Sequence, residues 1–536
     1  MALANFLLLL LSLSCSSYGV TSSPSIRSMV TQTCTDVDDR NSCITNVQAE
    51  LQKTGPQTQD SVAILTAALT HTLNETKNAI KIITKFNSLP IIYRESVAIE
   101  DCKELLDYSV SELAWSLGEM IKIRGGDTNV HYEGNLKAWL SAALSNQDTC
   151  LEGFEGTDRR LESFVRGSVK QVTQLIGNVL ALYTQLHSLP SKPPRGRGPP
   201  TNKSSPGDYF PAWMSEEDQE LVKSNPKSGV NHAVVAADGS GQYRTITEAV
   251  NEAPNYSPSR YVIYVKRGIY RENIDIKKNK TNIMFVGDGI GQTIVTGNRS
   301  FTQGWTTFRT ATVAVSGKGF IARNMTIRNT AGPRNQQAVA LRVDSDQSAF
   351  FQCSVEGYQD TLYAHSLRQF YRECTIYGTI DFIFGNGAAV LQNCKIYTRF
   401  PLPQQKVTVT AQGRKSPHQS TGFAIQDSFV LATQPTYLGR PWKKYSRTVY
   451  MNTFMSRLVQ PRGWLEWSGD FALGTLWYGE YRNYGPGAAM LGRVKWPGYH
   501  ILRDAAAASF FTVGRFIDGM AWLPSTGVKF TAGLSN

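Results

Sequence analysis

The sequence predicts two unlike halves, an all-α four-helix bundle followed by an all-β parallel β-helix. Three observations predict this: helical periodicity from about residue 41 to residue 189, a Pro- and Gly-rich break after it, and a repeat of about 20 residues in the second half. A chain of 536 residues is also too long for one ordinary hydrophobic core, so two domains with connecting segments are expected.

The first 20 residues are predicted to be a secretory signal peptide. An apolar run from Phe6 to Leu13 is followed by small residues, and the run is too short to cross a bilayer. No Lys or Arg precedes the run, which leaves an uncleaved signal anchor as the alternative. No later segment is apolar for long enough to span a bilayer, so we expect a secreted protein without membrane contact once the signal is removed.

Residues 21–190 are predicted to form the bundle. The segments SVAILTAALTHTLNETKNAIKII and RRLESFVRGSVKQVTQLIGNVLALYTQL place apolar residues at i, i+3, i+4 and i+7. No constellation of acidic residues, His or Cys suited to chemistry is visible, so a structural or interaction module is predicted. In an oxidising compartment, four cysteines here favour two disulfides: Cys34, Cys43, Cys102 and Cys150.

A break in composition separates the halves. Residues 191–230 are rich in Pro, Gly, Ser and basic residues, which is typical of an exposed, protease-sensitive linker. The stretch from Arg195 to Arg197 is either a processing site or plain linker. From residue 231 to residue 536, short runs of Val, Ile, Phe, Tyr and Thr alternate with Gly and Asn, which indicates strands.

The repeat is carried by three cysteines. CSVEGYQD begins at Cys353, CTIYGTID at Cys374 and CKIYTRFP at Cys394, and Met325 and Ser428 align with the same position. One apolar strand signature every 20 to 25 residues indicates a solenoid whose stacked coils bury an inward ladder. Since three cysteines is an odd number, at least one should be free and buried; Cys374 and Cys394 are kept as disulfide candidates.

The same repeat aligns two acidic residues. Asp360 lies seven residues after Cys353, and Asp381 lies seven after Cys374. Equivalent residues of neighbouring coils should stack about 4.8 Å apart. Two such carboxylates need one proton between them or a cation beside them. The separated states give a nucleophile or base next to a general acid, although surface acids with ordinary pKa values stay an open alternative. No metal-ligand spacing is seen.

Several ordered motifs resemble one enzyme family. GYQDTLYAHSLRQFYREC, IYGTIDFIFGN and YLGRPW resemble the signature regions of plant and bacterial pectin methylesterases, and TTFRTATVAV, GFIARNMTIRNTAGP and QAVALR agree. The first half looks like the inhibitor domain that many plant members carry as a pro-region, whose two disulfides would be Cys34–Cys43 and Cys102–Cys150. The resemblance implies a right-handed β-helix that releases methanol from methyl-esterified homogalacturonan in the cell wall, without a cofactor.

The resemblance also implies residue roles. Asp381, in GTIDFIFGN, resembles the nucleophile, and Asp360, in GYQDTLY, resembles the general acid and base. The remaining roles are oxyanion donation, orientation of Asp381 and contact with the sugar. They fall on Gln359 and Gln337 as donors, on Arg440 as the orienting residue, and on Thr307, Gln337, Arg440 and Trp442 as substrate contacts. His365 has no accompanying Gly-x-Ser-x-Gly elbow, so it is predicted to be structural.

The net positive charge of the chain favours one broad class of binding partner, the polyanions, without selecting a particular one. A net charge of +12 favours polyanions, and no Lys/Arg-rich run of the kind that binds nucleic acid is present. Charge alone does not choose among nucleic acid, an anionic membrane and an acidic polysaccharide, and it is the family resemblance that implies the last of these. Two alternatives to a pectin methylesterase remain open. One is a lyase or polygalacturonase on the same fold, and the other is a non-enzymatic wall-binding or inhibitor protein. The helical half would contact either its own esterase half or a separate esterase.

Overall fold

The computed structural model describes residues 25–53, 60–88, 91–125, 131–188 and 232–535. The predicted signal peptide lies outside these ranges, as does the whole of the 191–230 linker. The described residues form a helical half and a β half, as predicted.

Six helices form the first half. They are α1 (Ile26–Thr33), α2 (Arg40–Gln52), α3 (Ser61–Thr84), α4 (Tyr93–Arg124), α5 (Tyr132–Glu152) and α6 (Arg160–Ser188). The four long helices, α3 to α6, pack side by side as the bundle, while α1 and α2 precede it. Side-chain caps fix where helices begin: Asp60, for example, accepts a hydrogen bond from the backbone N–H of Ala63 at 2.8 Å.

Two disulfides tie the helices together. Cys34 at the end of α1 bonds to Cys43 in α2, and Cys102 in α4 bonds to Cys150 in α5. Both pairs are those that the resemblance implied. The second bond fixes α4 to α5, the two helices that lie against the β half.

The β half is a parallel β-helix of three sheets, with every strand pair parallel. Sheet A is ordered β1 (Ala233–Val235), β2 (Tyr261–Val265), β5 (Ile283–Gly287), β8 (Ile321–Arg323), β11 (Ser348–Phe351), β14 (Arg368–Arg372), β17 (Ala388–Gln392), β20 (Gly422–Gln426), β23 (Arg447–Met451), β25 (Trp477–Tyr481) and β26 (Tyr499–Ile501). Sheet B is ordered β24 (Phe454–Met455), β21 (Phe429–Leu431), β18 (Lys395–Thr398), β15 (Thr375–Gly378), β12 (Ser354–Glu356), β9 (Thr326–Asn329), β6 (Thr293–Gly297) and β3 (Gly268–Tyr270). Sheet C is ordered β22 (Thr436–Gly439), β19 (Val407–Gln412), β16 (Ile383–Gly385), β13 (Leu362–Ala364), β10 (Leu341–Val343), β7 (Val313–Val315) and β4 (Ile274–Ile276).

Short helices lie beside the first strands and along the outer face of sheet A. Helix α7 (Ile246–Glu252) lies near the first strands, and α8 (Ala505–Ser509) and α9 (Val513–Phe516) follow the last one. The C-terminal segment packs apolar residues such as Val513 and Leu523 against the outer face of sheet A. This covers apolar surface that a solenoid would otherwise expose.

The inward ladder has the predicted register. The pairs Thr326↔Ser354, Ser354↔Thr375, Thr375↔Lys395 and Lys395↔Phe429 are aligned across sheet B. The residues immediately before them therefore form one buried column: Met325, Cys353, Cys374, Cys394 and Ser428. The methionine and the three cysteines of this column belong, with the other interior residues of the coils, to one hydrophobic cluster. Every residue of that cluster lies in the β half.

The disulfide candidate Cys374–Cys394 is wrong. All three cysteines of the column are free and buried. Stacked side chains of successive coils point the same way, whereas a disulfide needs two Cβ atoms that face each other. The thiols instead donate to backbone carbonyls, Cys374 to Phe350 and Cys394 to Tyr371, both at 3.4 Å.

Left-handed residues turn the corners of each coil. Between sheets A and B the corner residues Asn324, Gln352, Glu373, Asn393 and Asp427 have φ values between 50° and 57°. Such φ values disfavour most side chains, and Asn and Asp tolerate them best. The corner between sheets B and C uses the same device, and two of its left-handed residues are acidic.

Candidate active site

Asp360 and Asp381 occupy the corner between sheets B and C. Asp360 lies between β12 and β13, and Asp381 lies between β15 and β16. The register pairs Leu362 with Ile383, so the aspartates hold equivalent positions in neighbouring coils. Their φ values are 61° and 50°. The shared corner conformation holds the two side chains at the same place in successive coils.

Asp381 is held from two sides. The Arg440 guanidinium donates to both carboxylate oxygens, through Nε to Oδ1 at 2.8 Å and Nη2 to Oδ2 at 2.6 Å. The Thr408 hydroxyl donates to Oδ1 at 2.6 Å. Arg440 follows β22, and its Asp381 contact helps to raise the pKa of this guanidinium although burial opposes it. A bidentate fork of this type fixes the orientation of a carboxylate as well as its charge.

Asp360 makes no ion pair with any residue that the structure describes, and it is 8% exposed. Burial, followed by the negative charge of Asp381, holds the pKa of Asp360 well above its usual range. Arg440 acts in the opposite direction and is outweighed. The two stacked carboxyl groups are therefore in different environments, which is the arrangement that separates a proton donor from a nucleophile.

A cavity of about 290 Å³ opens over the two aspartates. Each residue that the sequence placed in the site lies on its wall: Thr307, Gln337, Gln359, Asp360, Asp381, Arg440 and Trp442. Thr307 begins a short 3-10 helix, Thr307–Thr310. The Gln337 side-chain oxygen is buried without a hydrogen-bond partner among the described residues.

Four aromatic residues of the wall escaped the sequence analysis. Tyr363 and Phe384 stack at 4.1 Å, and Phe308 and Trp467 complete the set. Tyr363 and Phe384 are register partners, so the repeat that aligned the aspartates could have found them. Trp467 lies in an irregular segment after Trp464, where no repeat signal exists. Its ring lies 4.4 Å from the Arg440 guanidinium, a cation–π contact that orients Arg440.

His365 lies behind the cavity rather than on its wall. Its Nε2 is 2.9 Å from the Thr149 hydroxyl of α5, and burial, followed by the charge of Arg342, lowers the pKa of its imidazole to about 3. A neutral, hydrogen-bonded His in this position agrees with the structural role predicted for it.

The helical half forms the remaining wall of the cavity. Thr149 and Glu152 of α5, with Gly153 and Glu155 after it, face the aspartates across the space. Apolar residues of both halves share one hydrophobic cluster, in which Phe308, Tyr363 and Phe384 join the bundle core. The bundle thus lies directly over the stacked carboxyl groups.

Ion pairs flank this contact on the α4 side. Asp101 accepts from Arg309 at 2.5 Å, and Glu104 accepts from Arg309 and, at 3.0 Å, from Lys277. Burial alone would raise the pKa of Glu104, but Arg309 and its neighbouring cations lower it to about 2. Glu112 of α4 also pairs with Lys278 at 2.9 Å. In each of these pairs the carboxylate belongs to the bundle and the cation to the β half.

The α5 side repeats the pattern. Asp148 pairs with Lys415 at 2.9 Å, and Glu152 pairs with Lys443 at 2.6 Å. Asp148 and Glu152 are four residues apart and so lie one above the other on one face of α5. Acidic side chains of both α4 and α5 therefore pair with cations of the β half.

Within the described ranges, no group of three or more His, Cys, Asp or Glu side chains is arranged to hold a metal ion. The helices of those ranges also include none that is long and apolar enough to cross a membrane.

Comparison with known proteins assigns both halves. Residues 232–520 match the family Pectinesterase, and residues 28–182 match the family Plant invertase/pectin methylesterase inhibitor. The chain belongs to the pectinesterases, carboxylic ester hydrolases of pectin, and it carries an inhibitor-type region ahead of the esterase.

Some relatives match most of the chain, and a solved structure matches a little more than half of it. Pectinesterase/pectinesterase inhibitor 22 of Arabidopsis thaliana is 62% identical over 99% of both chains. The pectinesterase/pectinesterase inhibitor PPE8B of Prunus persica is 49% identical over 87% of this chain and 88% of its own. Among solved structures, the carrot pectin methylesterase aligns with 57% of this chain and 98% of its own, at 53% identity and a TM-score of 0.56.

Proposed function

We propose that this protein is a secreted enzyme that hydrolyses the methyl esters of galacturonate in cell-wall pectin, with Asp381 as nucleophile and Asp360 as general acid and base. One observation supports these roles above all: two stacked carboxyl groups, of which Asp381 is clamped by Arg440 while the pKa of Asp360 is raised. Secretion rests on the apolar run near the amino terminus.

The first half-reaction forms an acyl-enzyme. A carboxylate oxygen of Asp381 attacks the ester carbonyl carbon, and the carbonyl oxygen becomes an oxyanion. The side-chain amides of Gln337 and Gln359 donate to that oxyanion, and one such donor is typically worth about 2.7–4 kcal/mol in the transition state. Asp360 gives its proton to the methoxy oxygen, the carbon–oxygen bond breaks, and methanol leaves.

The second half-reaction restores the enzyme. Asp360, now ionised, takes a proton from a water molecule that attacks the carbonyl carbon of the anhydride between Asp381 and the sugar. The bond to Asp381 breaks, the galacturonate leaves as an acid, and Asp360 has recovered its proton. Trp442 and Trp467 offer flat faces for sugar rings on the cavity wall, beside Thr307.

The pH dependence should report the raised pKa of Asp360. Because acyl-enzyme formation needs protonated Asp360, the rate should fall about tenfold per pH unit above that pKa. Asp360→Asn should lower kcat by about 10² to 10⁴ and abolish that alkaline limb. Profiles of kcat against pH for both proteins test this. An unchanged limb in the variant would assign the titration to another group.

Product analysis tests the activity itself. Residues 231–536 incubated with highly methylated pectin should release methanol while the polymer keeps its length. Chain shortening with unsaturated ends would indicate a lyase, and shortening with new reducing ends would indicate a polygalacturonase. Absence of both products and methanol would favour a non-enzymatic wall protein.

We further propose that the helical half acts on this chain's own esterase half as an inhibitor. Support comes from the position of α5 and the segment after it over the stacked carboxyl groups, and from the family match of residues 28–182. A galacturonan chain cannot reach Asp381 while Thr149, Glu152 and Glu155 fill that side of the cleft. The bundle would have to move away or be removed before catalysis.

A further inference from the structure

The α5 ion pairs lie beside the cavity over the two aspartates. Lys443 follows Trp442, a wall residue of the cavity, and its ammonium group pairs with Glu152, which lines the same cavity. Lys415 pairs with Asp148, one helical turn away. Two lysines at the Trp442 end of the cleft therefore each hold a carboxylate in this structure.

A pectin chain would present the same chemistry at that position. Each de-esterified galacturonate unit carries one carboxylate, and an esterified unit carries none. The lysine side chains are only 29% and 17% exposed with the bundle in place, and once the bundle leaves they would lack their only charged partners among the described residues. An anionic sugar placed there would replace the bundle carboxylates.

We propose that Lys415 and Lys443 form a subsite for the free carboxylate of a galacturonate unit that has already lost its methyl ester, next to the unit in the catalytic position. The proposal rests on the proposed esterase function and deepens it. The subsite favours ester groups that have a de-esterified neighbour, and Asp148 and Glu152 occupy it when the bundle covers the cleft.

The test uses residues 231–536, so their ability to fold alone matters. The two hydrophobic clusters of the β-helix contain no residue of the helical half. The solved carrot esterase, which spans only this half, aligns over 98% of its length. Melting temperature and circular dichroism of each variant then verify folding before kinetics are compared.

The variant is the double substitution Lys415→Gln/Lys443→Gln, and the matched control is Lys444→Gln. Lys444 is adjacent, exposed and equally charged, but it makes no ion pair with the bundle within the described ranges. The substrates are fully methylated pectin and the same pectin with half of its esters removed at random. We expect the double variant to lose about fivefold in kcat/KM on the half-esterified polymer, through KM, and nothing on the fully methylated one.

A second measurement separates this proposal from the esterase proposal. Binding of a short, fully de-esterified oligogalacturonate to residues 231–536 should weaken about fivefold in the double variant and stay unchanged with Lys444→Gln. If both polymers lose activity equally, or if the control behaves like the double variant, the subsite is overturned. If the parent protein releases no methanol at all, the esterase proposal fails instead, and the binding measurement still decides whether the lysines bind carboxylates.

Discussion

Asp381→Asn should abolish methanol release from pectin, with a fall in kcat of about 10⁴ or more, the order seen when a catalytic nucleophile is removed. The amide cannot attack the ester carbonyl, and it can no longer accept from Arg440 at both side-chain atoms. Asn tolerates the left-handed backbone at this corner, where φ is 50°, so the coil should keep its shape. Methanol formation by residues 231–536 is the measurement.

Asp427→Asn is the matched control for that variant. Asp427 is also a left-handed corner residue, with φ of 52°, but it lies between sheets A and B, where its side chain accepts from Ser535. The Asp427→Asn substitution replaces a carboxylate by an amide at a corner of the same β-helix, but outside the cleft. Full activity is expected for it. A fully active Asp381→Asn variant would remove Asp381 from the mechanism. An equally inactive Asp427→Asn variant would do so too, because the loss of activity would then follow from changing a corner residue and not from losing the nucleophile.

The register of the two aspartates was predictable because it follows from a repeat that can be read from the spacing of the three cysteines. Between Cys353 and Cys394 the coils are 21 and 20 residues long, so equivalent positions can be counted. Thr408, which bonds Asp381 one coil further on, is 27 residues away because a longer segment separates β18 from β19. No count of residues could have placed it. Trp467 was missed for the same reason.

The covering of the cleft was not predictable from periodicity. Helical periodicity identifies which face of α4 or α5 is apolar, but it does not say which acidic residues on the rim meet a cation from another domain. Asp101 and Glu104 stand 205 or more residues from Arg309 in the sequence. Only the three-dimensional contact shows that acids of one half match bases of the other, and this match suggests how the cover could be loosened.

Removing the helical half should raise kcat/KM on pectin by about 100-fold. The observed rate scales with the fraction of molecules whose cleft is open, and a cover that is favoured by about 3 kcal/mol leaves about 1% of them open. The comparison is between the full chain, kept intact with protease inhibitors, and residues 231–536. Methanol release at low substrate concentration measures kcat/KM directly. Equal activity of the two proteins would show that the bundle does not obstruct the cleft.

Glu104→Lys in the full chain should open the cover without deleting it. The new ammonium group would lie beside Arg309 and Lys277, so two attractive pairs become repulsive, and a gain of about tenfold in kcat/KM is expected. Asp107→Lys is the control. Asp107 is an exposed residue of α4 one turn away from Glu104, and its substitution changes the charge of the bundle by the same amount. Raising the salt concentration should activate the parent chain more than the Glu104→Lys variant, because salt screens the two Glu104 pairs that only the parent chain has, while both proteins keep the other pairs. Activation by Asp107→Lys to the same extent would mean that the net charge of the bundle, rather than the Arg309 contact, holds the cover in place.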